Sequence, residues 1–333
     1  MLAGLAGILG GSASSAFLIA LEWVTRKQTG EPNVLYFLPL AGLVVGGLYD
    51  RFGDRAGYGT NLIIAEIHDP RARTPGRTTP MIFFTTLVSL LFGASVGREG
   101  AAVQMGASLA DQMSRFFHVS NEDRRVLLMA GAAAGFASAL GAPIAGTVFG
   151  MEVLSRRLRF KPVHIVECAV AAYVAVGTTR ILHAPHTRFG SIEELALFSP
   201  KSLVAALAFG LLVGLLVRSF IVLTEGLSEL AKLFSSSLAV RAFAGGFVVI
   251  ALAFLFGNRD STGLGIPSIQ SAFLTSSALP LAFEKIIMTS VSIASGFRGG
   301  EFIPLVFIGA TATSAISGLF SVTPAFAAAC GIS

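Results

Sequence analysis

Charge is what this sequence has least of. Asp, Glu, Lys and Arg make up 13% of its 333 residues, and 53% are hydrophobic. An average soluble domain carries roughly 25% charged residues. The shortage excludes a water-soluble globular fold and leaves an all-α polytopic membrane protein, because an open sheet cannot satisfy its backbone in lipid. Cysteine is scarce too. Cys168 and Cys330 both lie in apolar stretches, where they read as small buried side chains rather than a disulfide, and neither has metal-ligand company. Of His68, His118, His164, His183 and His186, all in or near loops, only the last two are close in sequence. No cofactor or metal is expected. The paired sets of an intramembrane enzyme are missing as well: no His-Glu-x-x-His, no facing aspartates, no Gly-x-Ser-x-Gly with histidine. The chain is read as a non-enzyme. Its net charge of +5 is small for the length, and the basic residues fall between apolar segments. That is loop asymmetry, not a nucleic-acid footprint.

What is present is a succession of apolar segments. They run over about residues 1–24, 34–50, 79–96, 97–117, 126–141, 143–154, 163–182, 202–224, 239–256, 279–295, 301–320 and 324–333. Several are too short to cross a bilayer, and nine or ten helical segments, some of them half-spans, are expected. The first begins at Met1 without a basic leader and stays apolar to Trp23, a spanning length rather than a cleavable signal. The run Arg156-Arg157-Leu158-Arg159-Phe160-Lys161 is the densest basic cluster, which the positive-inside rule places in the cytoplasm. The loop His118–Arg125 carries Glu122, Asp123, Arg124 and Arg125.

One stretch, Gly97-Arg98-Glu99-Gly100-Ala101-Ala102-Val103-Gln104-Met105-Gly106, sets a carboxylate between two glycines inside this apolar context. The helix of about 79–96 is expected to run straight into it. A carboxylate at membrane depth is costly and marks a functional site by default. The alternative for Glu99 is a structural carboxylate in a first helical turn. Arg98 is its neighbour, but adjacent side chains on a helix point apart, so Arg98 is expected to anchor at the interface or pair elsewhere.

The frame recurs. Gly57-Tyr58-Gly59-Thr60-Asn61, a helix, Gly97-x-Glu99-x-Ala101 and Gly106 match Gly263-Leu264-Gly265-Ile266-Pro267, a helix, Gly300-x-Phe302-x-Pro304 and Gly309. The offset at the second glycine pair is 203 residues. Paired broken helices in matching halves point to a substrate site near the bilayer midplane. Four helix starts follow, at residues 59–62, 98–101, 265–268 and 301–304. Their free N–H groups and partial positive charge suit an anion, without the full basic charge that would hold it too tightly. Thr60 and Asn61 are anion ligands or a plain helix cap. Phe302 is pore-lining or simple packing. Glu152 is expected to pair with Arg156 or Arg157, and Glu301 is an interfacial cap or a site group.

These residues resemble the CLC family of chloride channels and anion/proton antiporters. The likeness is carried by Gly97-Arg98-Glu99-Gly100 with Val103-Gln104-x-Gly106, and by Gly300-x-Phe302-x-Pro304. Ala132-Ala133-Ala134-Gly135 with Ala142-Pro143-Ile144-Ala145-Gly146 and Glu152 adds to it. The resemblance runs from about residue 2 to the end. It implies one CLC-type transmembrane domain over 1–333, an inverted-repeat helical fold with broken helices at the ion site, with halves at 1–182 and 202–333. It also implies a homodimer, multi-pass in the cell's inner membrane, whose partners are fluoride or chloride, protons and the lipid bilayer. By the same resemblance Glu99 is gate and proton carrier, and Gly59, Thr60, Asn61, Arg98, Gly100, Ala101, Gly300, Phe302 and Ile303 surround the anion.

Departures from the family pattern narrow the ion. Gly59-Thr60-Asn61-Leu62-Ile63 stands where the usual motif is Gly-Ser-Gly-Ile-Pro, Ala101 replaces a proline, and Val153 replaces the internal proton-relay glutamate. All three resemble the fluoride/proton antiporter branch, while the hydroxyl of Thr60 keeps chloride, as channel or chloride/proton antiporter, as the alternative. The family continues past Ser333 with several more helices. The expectation is a truncated coding sequence or a fragment, with an inactive product as the further alternative.

Overall fold

The computed structural model describes residues 1–53, 59–69, 73–152, 162–187, 189–190 and 199–332. The basic run Arg156–Lys161, Val153, and the Gly57 and Tyr58 of the first glycine turn lie outside them. Among the described residues the secondary structure is helical, with one isolated backbone bridge. The described residues form fourteen α-helices rather than nine or ten: α1 Leu2–Gly30, α2 Leu38–Phe52, α3 Thr60–His68, α4 Thr78–Leu91, α5 Glu99–Phe116, α6 Asn121–Leu140, α7 Pro143–Glu152, α8 Pro162–Ile181, α9 Pro200–Phe234, α10 Leu238–Phe256, α11 Ile266–Leu274, α12 Pro280–Ser295, α13 Phe302–Ala315 and α14 Pro324–Ile332. The nine-residue α3 and α11 begin at the helix starts expected at 59–62 and 265–268. Among the described residues five stretches are long and apolar enough to cross a bilayer: α1, Pro32–Phe52, α8, α9 and α10.

The chain folds as two compact units. One comprises Met1–Lys27, Leu48–Val88 and Arg98–His186; the other comprises Gln28–Gly47, Ser89–Gly97 and Thr187–Ser333. In the first unit the core is built on backbone approach. Any Cβ at Gly106 of α5 would lie inside contact distance of the Gly131 carbonyl of α6, and one at Gly135 would strike the Ala102 carbonyl. Glycine and alanine therefore let α5 and α6 pack nearly backbone to backbone, the habit of helices in membranes. The second unit repeats the device 203 residues later, where Gly309 of α13 meets the carbonyl of Gly331 on α14.

The break before α5 differs from expectation. α4 does not run to residue 96 but stops at Leu91. Gly93 takes φ +87, its N–H bonds to the Leu90 carbonyl (3.1 Å), and the Ala94 N–H bonds to that of Ser89 (2.9 Å). This pair of bonds around a left-handed glycine is a Schellman stop. The same stop ends α12: Gly296 has φ +101, with Gly296 N–H to Ile293 O at 2.9 Å and Phe297 N–H to Ser292 O at 3.1 Å. Each residue of the second stop lies 203 positions after its counterpart in the first.

Within the second unit the two breaks bond to one another. Gly97 N–H donates to Gly300 O (2.5 Å) and Gly300 N–H to Gly97 O (2.7 Å). Flanking them, Ser95 N–H donates to Ser292 Oγ (3.1 Å) and Arg298 N–H to Ser89 Oγ (3.2 Å). Exchanging every residue for its counterpart 203 positions away turns each bond into its partner, so this cluster carries a local two-fold relation, as an inverted repeat requires.

Gly135→Ala is expected to destabilise the first unit by about 1–3 kcal/mol through overpacking. Gly214→Ala, on α9 with nothing near its would-be Cβ, should instead raise stability by about 0.5–1 kcal/mol. Thermal unfolding in detergent, with the midpoint falling for the first variant and holding or rising for the second, checks the pair.

Candidate functional site: uncapped helix starts and a buried glutamate

The four helix starts read from the glycine frames fall at Thr60, Glu99, Ile266 and Phe302. Their cap residues are Gly59, Arg98, Gly265 and Glu301, and none of these side chains bonds to a helix N–H. By contrast Ser120, Ser199 and Ser237 cap α6, α9 and α10 with side-chain oxygens. Gly59 and Gly265 both sit at positive φ, +61 and +68, which glycine tolerates without strain. Thr60 and Asn61 are therefore the first residues of α3 and not its cap.

Glu99 opens α5 and is 1% exposed. Its carboxylate accepts from Arg98 Nε (3.3 Å) and from the Arg98 backbone N–H (3.2 Å). The expected separation of these neighbours is corrected here. Arg98 has φ −113° and precedes the helix, so the rule for adjacent residues on a helix does not govern it, and its guanidinium folds back over Glu99. Arg98 is itself 6% exposed and does not reach an interface.

The remaining candidates divide between the units. In the first, Thr60 is half-buried, Asn61 is exposed, Gly59 and Gly100 are half-buried and Ala101 is buried. Gln104 Nε2 donates to Thr60 Oγ1 at 3.1 Å. In the second unit, Gly300 and Ile303 are buried and Phe302 is 37% exposed. Glu301 is exposed, as is Glu152, whose expected partners Arg156 and Arg157 lie outside the described residues. His186 Nε2 bonds to the Ser138 carbonyl at 2.9 Å, and no metal-holding group of His, Cys, Asp or Glu occurs among the described residues.

Two polar groups were not legible beforehand. Arg124, read as a loop residue, lies on α6 and is 3% exposed. It bonds through Nε to Asp111 Oδ1 of α5 (2.5 Å) and through Nη1 and Nη2 to Glu66 Oε2 of α3 (3.1 Å each). The Thr74 backbone N–H also donates to Asp111 (2.6 Å). Two carboxylates and one guanidinium thus tie together the helices that begin at Thr60 and Glu99. In the second unit, Lys285 of α12 is fully buried and donates to the carbonyls of Ser261 (3.1 Å) and Gly263 (2.8 Å), with its ammonium 5.0 Å from the Phe307 ring. It thereby holds the turn that leads into α11. The only prior signals were a charge at each position, and both partner sets are distant in sequence.

This geometry has close relatives. The voltage gated chloride channel family matches residues 41–333. The chain is 42% identical to the chloride/fluoride channel protein of Pseudomonas syringae pv. tomato, over 96% of this chain and 71% of the other. It is 29% identical to the H(+)/Cl(-) exchange transporter ClcA of Vibrio vulnificus, over 92% of this chain and 70% of that one. The fold superimposes on the crystal structure of a CLC-type fluoride/proton antiporter with a TM-score of 0.92 at 29% identity, covering 99% of this chain and 84% of the other. It also matches a cyanobacterial Cl-/H+ antiporter, with a TM-score of 0.85 at 21% identity.

Arg124→Met should cost about 3–5 kcal/mol, because it removes one partner of a buried ion-pair cluster. Adding Glu66→Gln to it should recover part of the loss, since one stranded charge is then neutral. Thermal midpoints of the single and double variants measure both effects.

Proposed function

The chain belongs to the CLC family of voltage-gated chloride channels and moves anions across a membrane, and on that premise we propose that it exchanges fluoride for protons, with Glu99 as the gate and proton carrier. The observation that carries the proposal is the place of Glu99: a carboxylate 1% exposed at the first residue of α5, next to N–H groups that suit an anion. Ionised, it occupies ground that a permeating anion needs. Protonated, it releases that ground and carries the proton with it. The residues that bind the ion in passing are Gly59, Thr60 and Asn61 at the start of α3, Gly100 and Ala101 on α5, and Gly300, Phe302 and Ile303 at α13. Backbone amides suit this work because they attract an anion without trapping it. Arg98 restrains the Glu99 carboxylate, and by its charge favours anions nearby.

Fluoride is favoured over chloride by three sequence features, Gly59-Thr60-Asn61-Leu62-Ile63, Ala101 and Val153. The printed names of the Pseudomonas relative and of the fluoride/proton antiporter structure support the same ion. Chloride is the second reading, favoured by the Thr60 hydroxyl and by the ClcA relatives. A homodimer in the inner membrane, with one pathway per subunit, completes the proposal.

Glu99→Gln in proteoliposomes is expected to abolish proton movement coupled to fluoride, by about a hundredfold or more, the scale of a lost acid–base group. Simultaneous recording with a fluoride electrode and a pH electrode reads it. Coupled fluxes that persist unchanged in the variant would sink the role of Glu99.

A further inference from the structure

We propose that Gln104 is a positioning residue for the anion: its side-chain amide turns the hydroxyl hydrogen of Thr60 away from the protein and towards the ion. The inference rests on the reading of Thr60 as an anion ligand. A threonine hydroxyl has one hydrogen to give and two lone pairs to receive with. In this chain, four threonines within helices spend that hydrogen on a carbonyl of the preceding turn. Thr85 gives it to Met81, Thr147 to Pro143, Thr178 to Val174 and Thr311 to Phe307. Thr60 is the first residue of α3, so its own helix has no earlier turn to receive one. Gln104 Nε2 meets its oxygen from the α5 side at 3.1 Å as a donor. A hydroxyl that receives there must give elsewhere, and an anion is the acceptor the proposed function supplies.

The surroundings fit the role. Gly59, Thr60 and Gln104 are half-buried rather than sealed. Gln104 lies five residues after Glu99 on the same helix, which places gate and orienting amide on one rigid element. The position 203 residues later is Phe307, fully buried under Lys285. The orienting amide therefore belongs to one half of the repeat, as Glu99 does.

The test is a double-mutant cycle on fluoride efflux from proteoliposomes loaded with the full chain. Gln104→Met keeps the length of the side chain but cannot donate. Its apparent KM for fluoride is expected to rise about five- to tenfold, the scale of one hydrogen bond between neutral groups, with the maximal rate within about twofold. Gln104→Glu, whose carboxylate would take the hydroxyl hydrogen for itself, is expected to raise KM further. Thr60→Val should match the loss of Gln104→Met or exceed it, and the double variant Thr60→Val with Gln104→Met should be no worse than Thr60→Val alone, because effects through a shared partner do not add. A normal KM in both Gln104 variants, with a raised KM in Thr60→Val, overturns the inference and leaves Thr60 as a ligand. Equal penalties for Gln104→Met with and without Thr60 also overturn it, since Gln104 then acts on its own. An unchanged KM in Thr60→Val overturns the ligand reading and the inference together. If the chain carries chloride and not fluoride, the same cycle is read on chloride, and only the ion assignment falls.

Discussion

The reciprocal hydrogen bonds between Gly97 and Gly300 are the constraint on which the rest of this protein depends. Two helix breaks, 203 residues apart in sequence, satisfy each other's backbone at the point where each would otherwise leave polar groups unpaired in an apolar interior. An orphaned backbone group costs several kcal/mol in lipid, so the breaks are admissible only as a pair. The Schellman stops at Gly93 and Gly296 deliver the chain into the bridge, and the serine hydroxyls at 89 and 292 close it on either side. Both following helices, α5 and α13, start immediately afterwards. In sequence the bridge thus comes just before two uncapped helix starts.

From the uncapped starts follows the chemistry. A helix start with a serine cap has spent one of its N–H groups on that side chain; one with Gly59, Arg98, Gly265 or Glu301 at the cap has spent none in this way. Partial charges of about half a unit at each start favour an anion without the binding depth of a lysine. Lys285, a full cation of the second unit, is occupied by two carbonyls. Its counterpart 203 positions earlier is Ile82, a buried apolar residue. Likewise the counterpart of Glu99, 203 positions later, is Phe302. The frame is common to both halves, and the titratable and charged groups are what distinguishes them.

Much of this was legible in the sequence because glycine marks it. The starts at Thr60, Glu99, Ile266 and Phe302 were placed within a residue or so, since each follows a glycine-rich break in an apolar run. Gly93 was missed, because one glycine in an apolar run reads as a tolerated helix residue until its φ is seen. Arg98 was misplaced because a rule for helical neighbours was applied to a residue that precedes the helix. The Arg124–Glu66–Asp111 cluster and the carbonyl partners of Lys285 were out of reach for a different reason. They join residues far apart in sequence, and no local period encodes such a contact.

The central claim is coupled exchange, and its most direct measurement is thermodynamic. Proteoliposomes containing the chain are given a proton gradient with equal fluoride on both sides, and fluoride is followed with an electrode. The account predicts that fluoride moves against its own gradient, driven by protons moving the other way, until the two gradients balance. Fluoride that stays at equal concentration under the proton gradient, while still equilibrating when a fluoride gradient is imposed, would contradict it and describe a passive anion channel instead.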